Sequence, residues 1–239
     1  MKEAKRVLVK MSGEALAGAS SVGVDGSSCL NAAKSLLELH QAQIEVGVVL
    51  GGGNFFRGLQ KSDALSLPRS GADQVGMLAT MMNGLILQQT LQKLGCEATV
   101  FGSVAVEGVI DCFNLHRMQE AFKLGHVVIF VGGTGHPYFT TDTAAALRAS
   151  EMEADLLLKA TMQADAIYNK DPRKHADATA YQTISYQRIL DEKLTPLDLT
   201  ATTLCMTNEI SIKFFNFKKH SLLQAVRDHS FGTLVNKEG

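Results

Sequence analysis

Three consecutive glycines, Gly51–Gly53, follow an apolar run from Val46 to Leu50, and Arg57 comes four residues after the last of them. The run is typical of a buried strand, and glycine tolerates the tight backbone that such a turn demands. Because glycine has no Cβ, an anion can lie directly on the backbone N–H groups, and a nearby guanidinium adds a charged donor. The pattern predicts a phosphate- or carboxylate-binding loop, although a plain strand-to-helix turn explains the glycines alone almost as well.

A lysine lies near the end of the first apolar run, Val7–Met11. Lys10 can place its ammonium over phosphate oxygens, while the backbone at Ser12 and Gly13 approaches the same ligand closely. A surface lysine beside a strand is the usual alternative, and the triple-glycine loop favours the binding interpretation. The chain contains no GxxxxGK[ST] sequence, and its glycine spacing is not GxGxxG, so neither common nucleotide-binding motif applies.

A second glycine-rich loop, from Gly132 to Asp142, is rich in hydroxyl and amide donors and is stiffened by Pro137. Asp142 either belongs to this site or caps the helix that follows. Further along, Tyr168, Asp171 and Pro172 indicate a turn where an aromatic ring can stack on a base, or a plain type I turn.

Composition limits the possible partners of the chain. Its 239 residues carry a formal charge of −1, with 23 basic and 24 acidic residues, so no global field favours nucleic acid or anionic membranes. The four cysteines are widely spaced without a CxxC pair, which disfavours a zinc site or disulfide framework and suits a reducing cytoplasm.

No signal peptide is expected. The apolar segment from Val75 to Leu87 is shorter than the ~20 residues of a membrane span and predicts a helix buried in the core or against another subunit.

Strand and helix patterns alternate along the chain with short connections. We predict strands at 7–11, 44–50, 98–101, 126–131, 155–159, 212–217 and 232–235. We predict helices at 27–41, 73–94, 115–124, 143–153, 186–192, 201–208 and 221–228. Such alternation predicts one α/β domain over residues 1–239, with a mostly parallel central sheet between layers of helices. Ligands in such sheets bind beyond the carboxyl ends of the strands, where the loops described above lie.

Several segments together resemble the bacterial uridylate kinases of the amino-acid kinase family, which have this three-layer fold. The matching segments are KMSGEAL (10–16), GGGNFFRG (51–58), DQVGMLATMMNG (73–84), GTGHPYFTTD (133–142), EADLLLKAT (153–161), YNKDP (168–172) and LDL (197–199). They follow the family's order from about Arg6 to Val235. The resemblance implies ATP-dependent phosphorylation of UMP to UDP, with Mg²⁺, in the supply of UTP and CTP.

The resemblance also implies roles for individual residues. Those expected to bind ATP are Lys10, Met11, Ser12, Gly13, Gly53, Arg57, Thr161, Tyr168 and Asp171. Those expected to bind UMP are Gly52, Asp73, Thr134, Gly135, His136, Pro137, Tyr138, Phe139, Thr140 and Thr141. Those expected to act in catalysis are Lys10, Arg57, Asp142, Asp155 and Asp198, and no dedicated protein metal site is expected. The UMP-binding part would be mainly residues 50–150, and the ATP-binding part mainly residues 155–239 with 10–13.

The resemblance further implies a homohexamer built from dimers, activation by GTP and inhibition by UTP. The chain departs from the family pattern at His136, where Asn is common, and at Tyr138, where Phe is usual. These changes concern discrimination among pyrimidines. The loop TMQADAIY is one residue longer than usual, with Ala166 in place of Gly, and the segment Gly18–Gly23, which the family ties to GTP, has lost a glycine.

Two other functions remain open from the residues. One is a phosphotransferase of the same fold that acts on a carboxylate or carbamate, such as acetylglutamate. The other is a non-catalytic nucleotide-binding regulator, for which loss of Lys10 or Arg57 would be typical, whereas both are present.

Overall fold

Parallel strands form the centre of the protein, seen in a computed structural model that describes residues 4–20, 22–56 and 67–239. Arg57, a predicted site residue, lies outside the described residues. In the described part of the chain, nine strands form one sheet in the order β4-β3-β5-β2-β1-β6-β8-β9-β7. All neighbouring strands are parallel except β8 and β9, which are antiparallel. The predicted mostly parallel sheet is therefore confirmed.

The strands are β1 (Arg6–Met11), β2 (Glu45–Leu50), β3 (Ala98–Gly102), β4 (Asp111–Cys112), β5 (Val127–Val131), β6 (Leu156–Thr161), β7 (Thr183–Ser185), β8 (Ser211–Asn216) and β9 (Thr233–Asn236). The helices are α1 (Glu14–Ala17), α2 (Gly26–Gln41), α3 (Arg69–Lys93), α4 (Leu115–Lys123), α5 (Thr141–Glu151), α6 (Tyr186–Asp191), α7 (Leu199–Thr207) and α8 (Leu222–Arg227). A short 3₁₀ turn follows α1 at Gly18–Ser20.

Helices cover both faces of the sheet because its central strands are apolar on both sides. On one face, α2, α3 and α8 pack side chains such as Leu36, Leu87 and Leu222 against the strands. On the other face, α4, α5, α6 and α7 contribute residues such as Met118 and Ala145 to a second cluster. The result is the single three-layer α/β domain that the alternating pattern predicts.

The predicted helices and longer strands are present, and three differences are informative. Strands β4 and β7, with two and three residues, and the four-residue helix α1 were not predicted, since elements this short carry no periodicity. Helix α3 begins at Arg69, so Asp73 lies in its second turn and does not cap it. Helix α5 begins at Thr141 with Thr140 as its N-cap, so the interpretation of Asp142 as the cap is wrong.

Helix α3 is only partly buried within this chain, whereas burial in the core or against another subunit is expected from its sequence. Its residues Met81, Leu87 and Leu91 are buried, whereas Val75, Leu78 and Met82 are 40%, 56% and 48% exposed. These three side chains recur at helical spacing and form an apolar stripe on the surface of this chain. No helix within the described ranges is long and apolar enough to cross a membrane.

Strand β1 is the point at which the winding of the sheet reverses. It pairs with β2 on one side and with β6 on the other. Strands β5, β3 and β4 follow beyond β2, and strands β8, β9 and β7 follow beyond β6. In open parallel sheets, a crevice forms at such a point outside the carboxyl ends of the strands. The loops after β1, β2, β5 and β6 therefore converge at one edge of the sheet.

Candidate active site

Two lysines and one aspartate form a buried charged cluster at this edge. Lys10 on β1 and Lys159 on β6 are direct neighbours in the register of the two parallel strands. Asp142 comes from the first turn of α5, which follows the second glycine-rich loop. Its Oδ1 lies 2.9 Å from the Nζ of Lys10 and also accepts a hydrogen bond from the Nζ of Lys159. One carboxylate oxygen thus holds two ammonium groups side by side.

The electrostatics of the cluster follow from burial and mutual contact. Burial by itself raises the pKa of Asp142, but the charges of Lys10 and Lys159 together lower it to about 2. Burial, followed by the charge of Lys10, lowers the pKa of Lys159 to about 8, although Asp142 opposes this shift. With both lysines protonated, the cluster carries one net positive charge, which favours an anionic ligand.

Backbone and hydroxyl groups next to the cluster complete a site for an anion. The loop after β1 lies so close to the triple-glycine loop that a Cβ on Gly13 would lie 2.1 Å from Oδ1 of Asn54. The hydroxyl of Ser12 is buried and has no hydrogen-bond partner within the part of the chain that the structure describes. Leaving a buried donor unpaired costs about 1–3 kcal/mol, so a ligand oxygen at this position would stabilise the site.

A buried pair of asparagines fixes the triple-glycine loop. Asn83 of α3 donates from Nδ2 to the carbonyl of Gly51 at 2.7 Å and to Oδ1 of Asn54 at 2.7 Å. Asn54 donates in return to Oδ1 of Asn83 at 3.0 Å and to the carbonyl of Gly23 at 2.7 Å. The amide of Asn83 thus fixes the carbonyl of Gly51 in the loop, and the amide of Asn54 fixes the carbonyl of Gly23 in the segment before α2. Sequence reasoning did not assign them a role, because an asparagine within an apolar helix has no partner visible in its own segment.

A first cavity of about 340 Å³ opens between the start of α3 and the second glycine-rich loop. It is lined by seven of the residues expected to bind UMP, namely Gly52, Asp73, Thr134, His136, Phe139, Thr140 and Thr141. Gly135, Pro137 and Tyr138 belong to the same loop, and a Cβ on Gly52 would lie 2.7 Å from the carbonyl of Gly76 in α3. The structure therefore brings seven of the ten predicted residues together around one cavity.

Asp73 ties α3 to the loop across the cavity. Its Oδ2 accepts a hydrogen bond from the backbone N–H of Tyr138 at 2.8 Å and lies 3.7 Å from Nε of Arg69. Tyr138 holds a positive φ of 73°, a conformation that is costly for a residue with a large side chain. The carboxylate of Asp73 thus stabilises a strained turn at the mouth of the cavity.

Asp198 organises the start of α5. It accepts hydrogen bonds from the hydroxyls of Thr140 and Thr143, the latter at 2.9 and 3.0 Å, and from the backbone N–H of Ala201 at 2.8 Å. Because Thr140 is the N-cap of α5 and Asp198 is the N-cap of α7, these bonds lock two helix starts together. The turn that carries Asp142 is fixed as a consequence.

A second cavity of about 570 Å³ lies beyond β6. Its lining includes Tyr168 and Asp171, both expected to bind ATP, with Pro196 and Phe214 among the apolar walls. Asp171 accepts hydrogen bonds from the backbone and the guanidinium of Arg173, at 3.0 and 3.1 Å. Thr161 ends β6, and its hydroxyl donates to the carbonyl of Ala164 at 2.5 Å, so it supports the wall and does not line the cavity.

Asp155 and Lys159 lie at opposite edges of the sheet. Asp155 precedes β6 and accepts hydrogen bonds from the backbone N–H groups of Lys5 and Arg6, at 2.8 Å each. It therefore lies at the amino edge of the sheet, opposite to Lys10, and the expectation that it joins the catalytic group is wrong. Lys159 was not selected from the sequence, although its place near the carboxyl end of a buried strand is the same signal that identified Lys10.

The fold and this edge define an α/β protein with a positively charged cluster at the carboxyl edge of a mostly parallel sheet. The model of the amino acid kinase family matches residues 5–216, and the chain belongs to that family. Its relatives include a uridylate kinase of Protochlamydia amoebophila, 46% identical over 97% of this chain and 93% of the relative. A uridylate kinase of Chlamydia abortus is 41% identical over 99% of this chain and 96% of the relative.

Solved structures agree with this family assignment. The UMP kinase of Ureaplasma parvum matches with a TM-score of 0.93 and 32% identity, covering 99% of this chain and 100% of that one. The UMP kinase of Bacillus anthracis matches with a TM-score of 0.95 and 30% identity, covering 100% of this chain and 98% of that one. The resemblance drawn from the sequence motifs is confirmed.

The close approach at Gly13 makes a direct test of the anion loop possible. In Gly13→Ala, the added methyl overlaps Asn54, so the two loops must separate and binding of tripolyphosphate should weaken at least about tenfold, the effect of one lost charge-assisted hydrogen bond. Isothermal titration calorimetry measures this. Gly26→Ala is the matched control, since nothing lies within 4 Å of its added Cβ, and it should bind normally. Equal affinity of both variants would remove Gly13 from the site.

Proposed function

We propose that this protein transfers the γ-phosphoryl group of ATP to the 5′-phosphate of UMP, with ADP and UDP as products. The observation that carries the proposal is the pair of lysines on one carboxylate, between loops that lead to two cavities. Thr141 lines the first cavity and directly precedes Asp142. Strand β6, which carries Lys159, leads into the segment from Gln163 that lines the second. The uridylate kinase relatives, identical at 46% and 41% of positions over almost the whole chain, support the same activity.

The chemistry needs positive charge and positioning more than proton transfer. The acceptor oxygen of a nucleoside monophosphate is already anionic, so no general base is required. The obstacle is the repulsion between two polyanions and the negative charge that spreads over the transferred group. Lys10 and Lys159 supply two ammonium groups at the place where the two substrates meet. Asp142 acts as a positioning residue, because its carboxylate sets where both ammonium groups point.

Residues outside the lysine pair divide between the two substrates. We propose that the second cavity, with Tyr168 and Asp171, receives the adenosine of ATP, and that Ser12, Gly13 and Gly53 bind its phosphates. The first cavity receives UMP, with Asp73 at the ribose. The acceptor part is thus mainly residues 50–150 and the donor part mainly residues 155–239 with 10–13. Arg57, outside the described residues, keeps its proposed role in phosphate binding.

Magnesium enters this proposal with ATP. Among the described residues, no group of three or more His, Cys, Asp or Glu side chains is placed to hold a metal ion. Mg²⁺ commonly keeps several waters and binds through substrate phosphates. Near the lysine pair, Asp142 is engaged by the two ammonium groups, and both oxygens of Asp198 accept from threonine hydroxyls. We therefore propose that the phosphates of ATP carry Mg²⁺ and that this cation neutralises part of their negative charge.

A substrate panel tests the proposal against its alternatives. Release of ADP is measured in a coupled assay with UMP, CMP, dTMP, acetylglutamate and carbamate, each with and without GTP and UTP. We expect turnover with UMP, activation by GTP and inhibition by UTP. Preference for acetylglutamate or carbamate would support another phosphotransferase of this fold. ATP binding without turnover of any acceptor would indicate a non-catalytic regulator.

The charge of Lys159 predicts an alkaline limit to activity. Its ammonium is present below its pKa of about 8 and is lost as the pH rises through that value, so kcat/KM should fall above about pH 8. In Lys159→Arg, the guanidinium stays charged. This variant should therefore lose the alkaline limb even if its maximum rate is lower. Initial rates between pH 6 and 10 at low substrate concentration measure the profile. An identical limb in both proteins would exclude Lys159 as its origin.

The role of Asp73 at the ribose predicts a selective effect on the acceptor. In Asp73→Asn, the shape is kept, but a neutral amide accepts a hydroxyl hydrogen bond more weakly than a carboxylate. KM for UMP should rise about tenfold, equivalent to about 1.4 kcal/mol, while KM for ATP changes little. Steady-state kinetics with each substrate varied in turn decide this. Asp111→Asn is the control, because Asp111 pairs with Arg117 at 2.6 Å outside both cavities. An unchanged KM for UMP would remove Asp73 from the site.

We also propose a homo-oligomer, a hexamer built from dimers as the family resemblance implies. The stripe of Val75, Leu78 and Met82 supports it, since contiguous exposed apolar side chains commonly mark protein interfaces. Leu78→Glu should dissociate the assembly in sedimentation velocity experiments, whereas Leu124→Glu, at a residue 72% exposed directly after α4, should not. A wild-type mass of 25.7 kDa at micromolar concentration would contradict the proposal.

The proposed cellular role is pyrimidine nucleotide biosynthesis in the cytoplasm. The four cysteines are free thiols, which suits a reducing compartment. Cell fractionation with activity measurement in each fraction tests the compartment.

A further inference from the structure

A chain of two hydrogen bonds runs beneath the loop that lines the first cavity. Arg148, in the last turn of α5, donates from Nη2 to Oγ of Ser103 at 3.0 Å. Ser103, in the loop after β3, donates from Oγ to the carbonyl of Gly133 at 2.6 Å. Gly133 lines the first cavity, whereas Arg148 and Ser103 do not. A buried cation is therefore connected to the cavity wall through a single hydroxyl.

The chemistry of the three groups fixes the direction of this chain. A guanidinium has no acceptor, so the oxygen of Ser103 must accept from Arg148. The one hydroxyl proton of Ser103 is then available for the carbonyl of Gly133. Without Arg148, the hydroxyl can rotate, and the carbonyl loses a fixed donor.

Arg148 itself is held on several sides. Its side chain is only 7% exposed, and its Nη1 donates to Glu151 at 2.6 Å. Its guanidinium carbon lies 3.8 Å from the ring centroid of Phe113 and 5.7 Å from that of Phe130. Such stacking on aromatic rings restricts the guanidinium plane. Ser103 consequently receives a hydrogen bond from a rigid donor.

The loop above Ser103 depends on this support. Gly132, Gly133 and Gly135 have φ values of 79°, 58° and 80°, in the left-handed region where glycine alone is unstrained. Glycines lose more conformational entropy on ordering than other residues, so the loop needs external contacts to keep one shape. Thr80 accepts from the N–H of Gly132 at 2.8 Å on one side, and Ser103 donates to the carbonyl of Gly133 on the other.

The hydrogen bond from Ser103 also sets the orientation of the peptide between Gly133 and Thr134. In a trans peptide, the C=O and the N–H point in opposite directions. Since the carbonyl of Gly133 bonds to Ser103, the N–H of Thr134 points away from Ser103. We propose that Arg148 is a positioning residue that, through Ser103, presents the Thr134 N–H to an oxygen of the acceptor nucleotide. This inference rests on the proposed function, because it assigns the first cavity to UMP.

The test compares kinetics of Arg148→Met, Ser103→Ala and the double variant. Loss of one positioned hydrogen bond should raise KM for UMP about tenfold in each single variant. The double variant should be no worse than the worse single one, because both changes break the same chain. KM for ATP and kcat should stay within about twofold of wild type, because the donor cavity and the lysine pair are untouched.

A matched control separates positioning from general stability. Arg6 resembles Arg148 in its contacts: it pairs with Glu45 at 2.5 Å, donates to the carbonyl of Met152 at 2.6 Å and lies 5.2 Å from the ring centroid of Phe122. It is located at the amino edge of the sheet, away from both cavities. Arg6→Met should lower the thermal unfolding temperature as Arg148→Met does, but leave KM for UMP unchanged.

The outcomes are distinct. An unchanged KM for UMP in Ser103→Ala, or an equal rise in KM for both substrates, would overturn the positioning role. If Arg148→Met does not fold, Ser103→Ala still decides, because it removes one hydroxyl and nothing else. Wild-type turnover of UMP is measured in the same experiment. Its absence would refute the proposed function itself, whereas active variants with normal KM values would refute only this inference.

Discussion

The carboxylate of Asp142 between two lysines is the interaction on which the arrangement of the site depends. The register of β1 and β6 makes Lys10 and Lys159 direct neighbours on adjacent parallel strands, which are about 4.8 Å apart. Two buried ammonium groups at that spacing repel each other strongly unless an anion lies between them. The start of α5 supplies this anion, so its position is tied to the strand register. The loop that leads into α5 is held in place with it.

Helix α5 therefore serves both halves of the site. Its N-cap, Thr140, bonds to Asp198 and lines the first cavity, while Asp142 in its first turn contacts both lysines. Two turns later, Arg148 reaches the underside of the same loop through Ser103. A helix is rigid over this length, so these contacts set one geometry together. This explains why a short segment of the sequence carries so many polar side chains with specific partners.

Much of this could be predicted from the sequence, and the omissions have physical reasons. Apolar runs identified the longer strands, and the glycine-rich segments after some of them identified the edge where Lys10 and the loops converge. Lys159 lies near the carboxyl end of a buried strand as Lys10 does, but no glycine-rich segment follows it, and its place beside Lys10 depends on strand pairing across 149 residues. Asp155 was misplaced by a motif match, although an acidic residue before a parallel strand must lie at the amino edge. Asn54 and Asn83 were not assigned because their partners are 29 residues apart and show no local pattern.

The close packing of Gly13 against the asparagine pair limits which substitutions the sequence can accept during evolution. A side chain at position 13 would overlap both the side chain of Asn54 and the backbone oxygen of Gly51. A change at Asn54 removes both of its hydrogen bonds with the buried amide of Asn83, which then keeps only its bond to the carbonyl of Gly51. Each of the three single substitutions is therefore expected to be harmful on its own, and even with Asn54 replaced a Cβ at position 13 lies 2.9 Å from the backbone oxygen of Gly51. Viable sequences with a different solution are separated from this one by unfavourable intermediates. Residues 13, 54 and 83 are therefore expected to constrain one another's substitution.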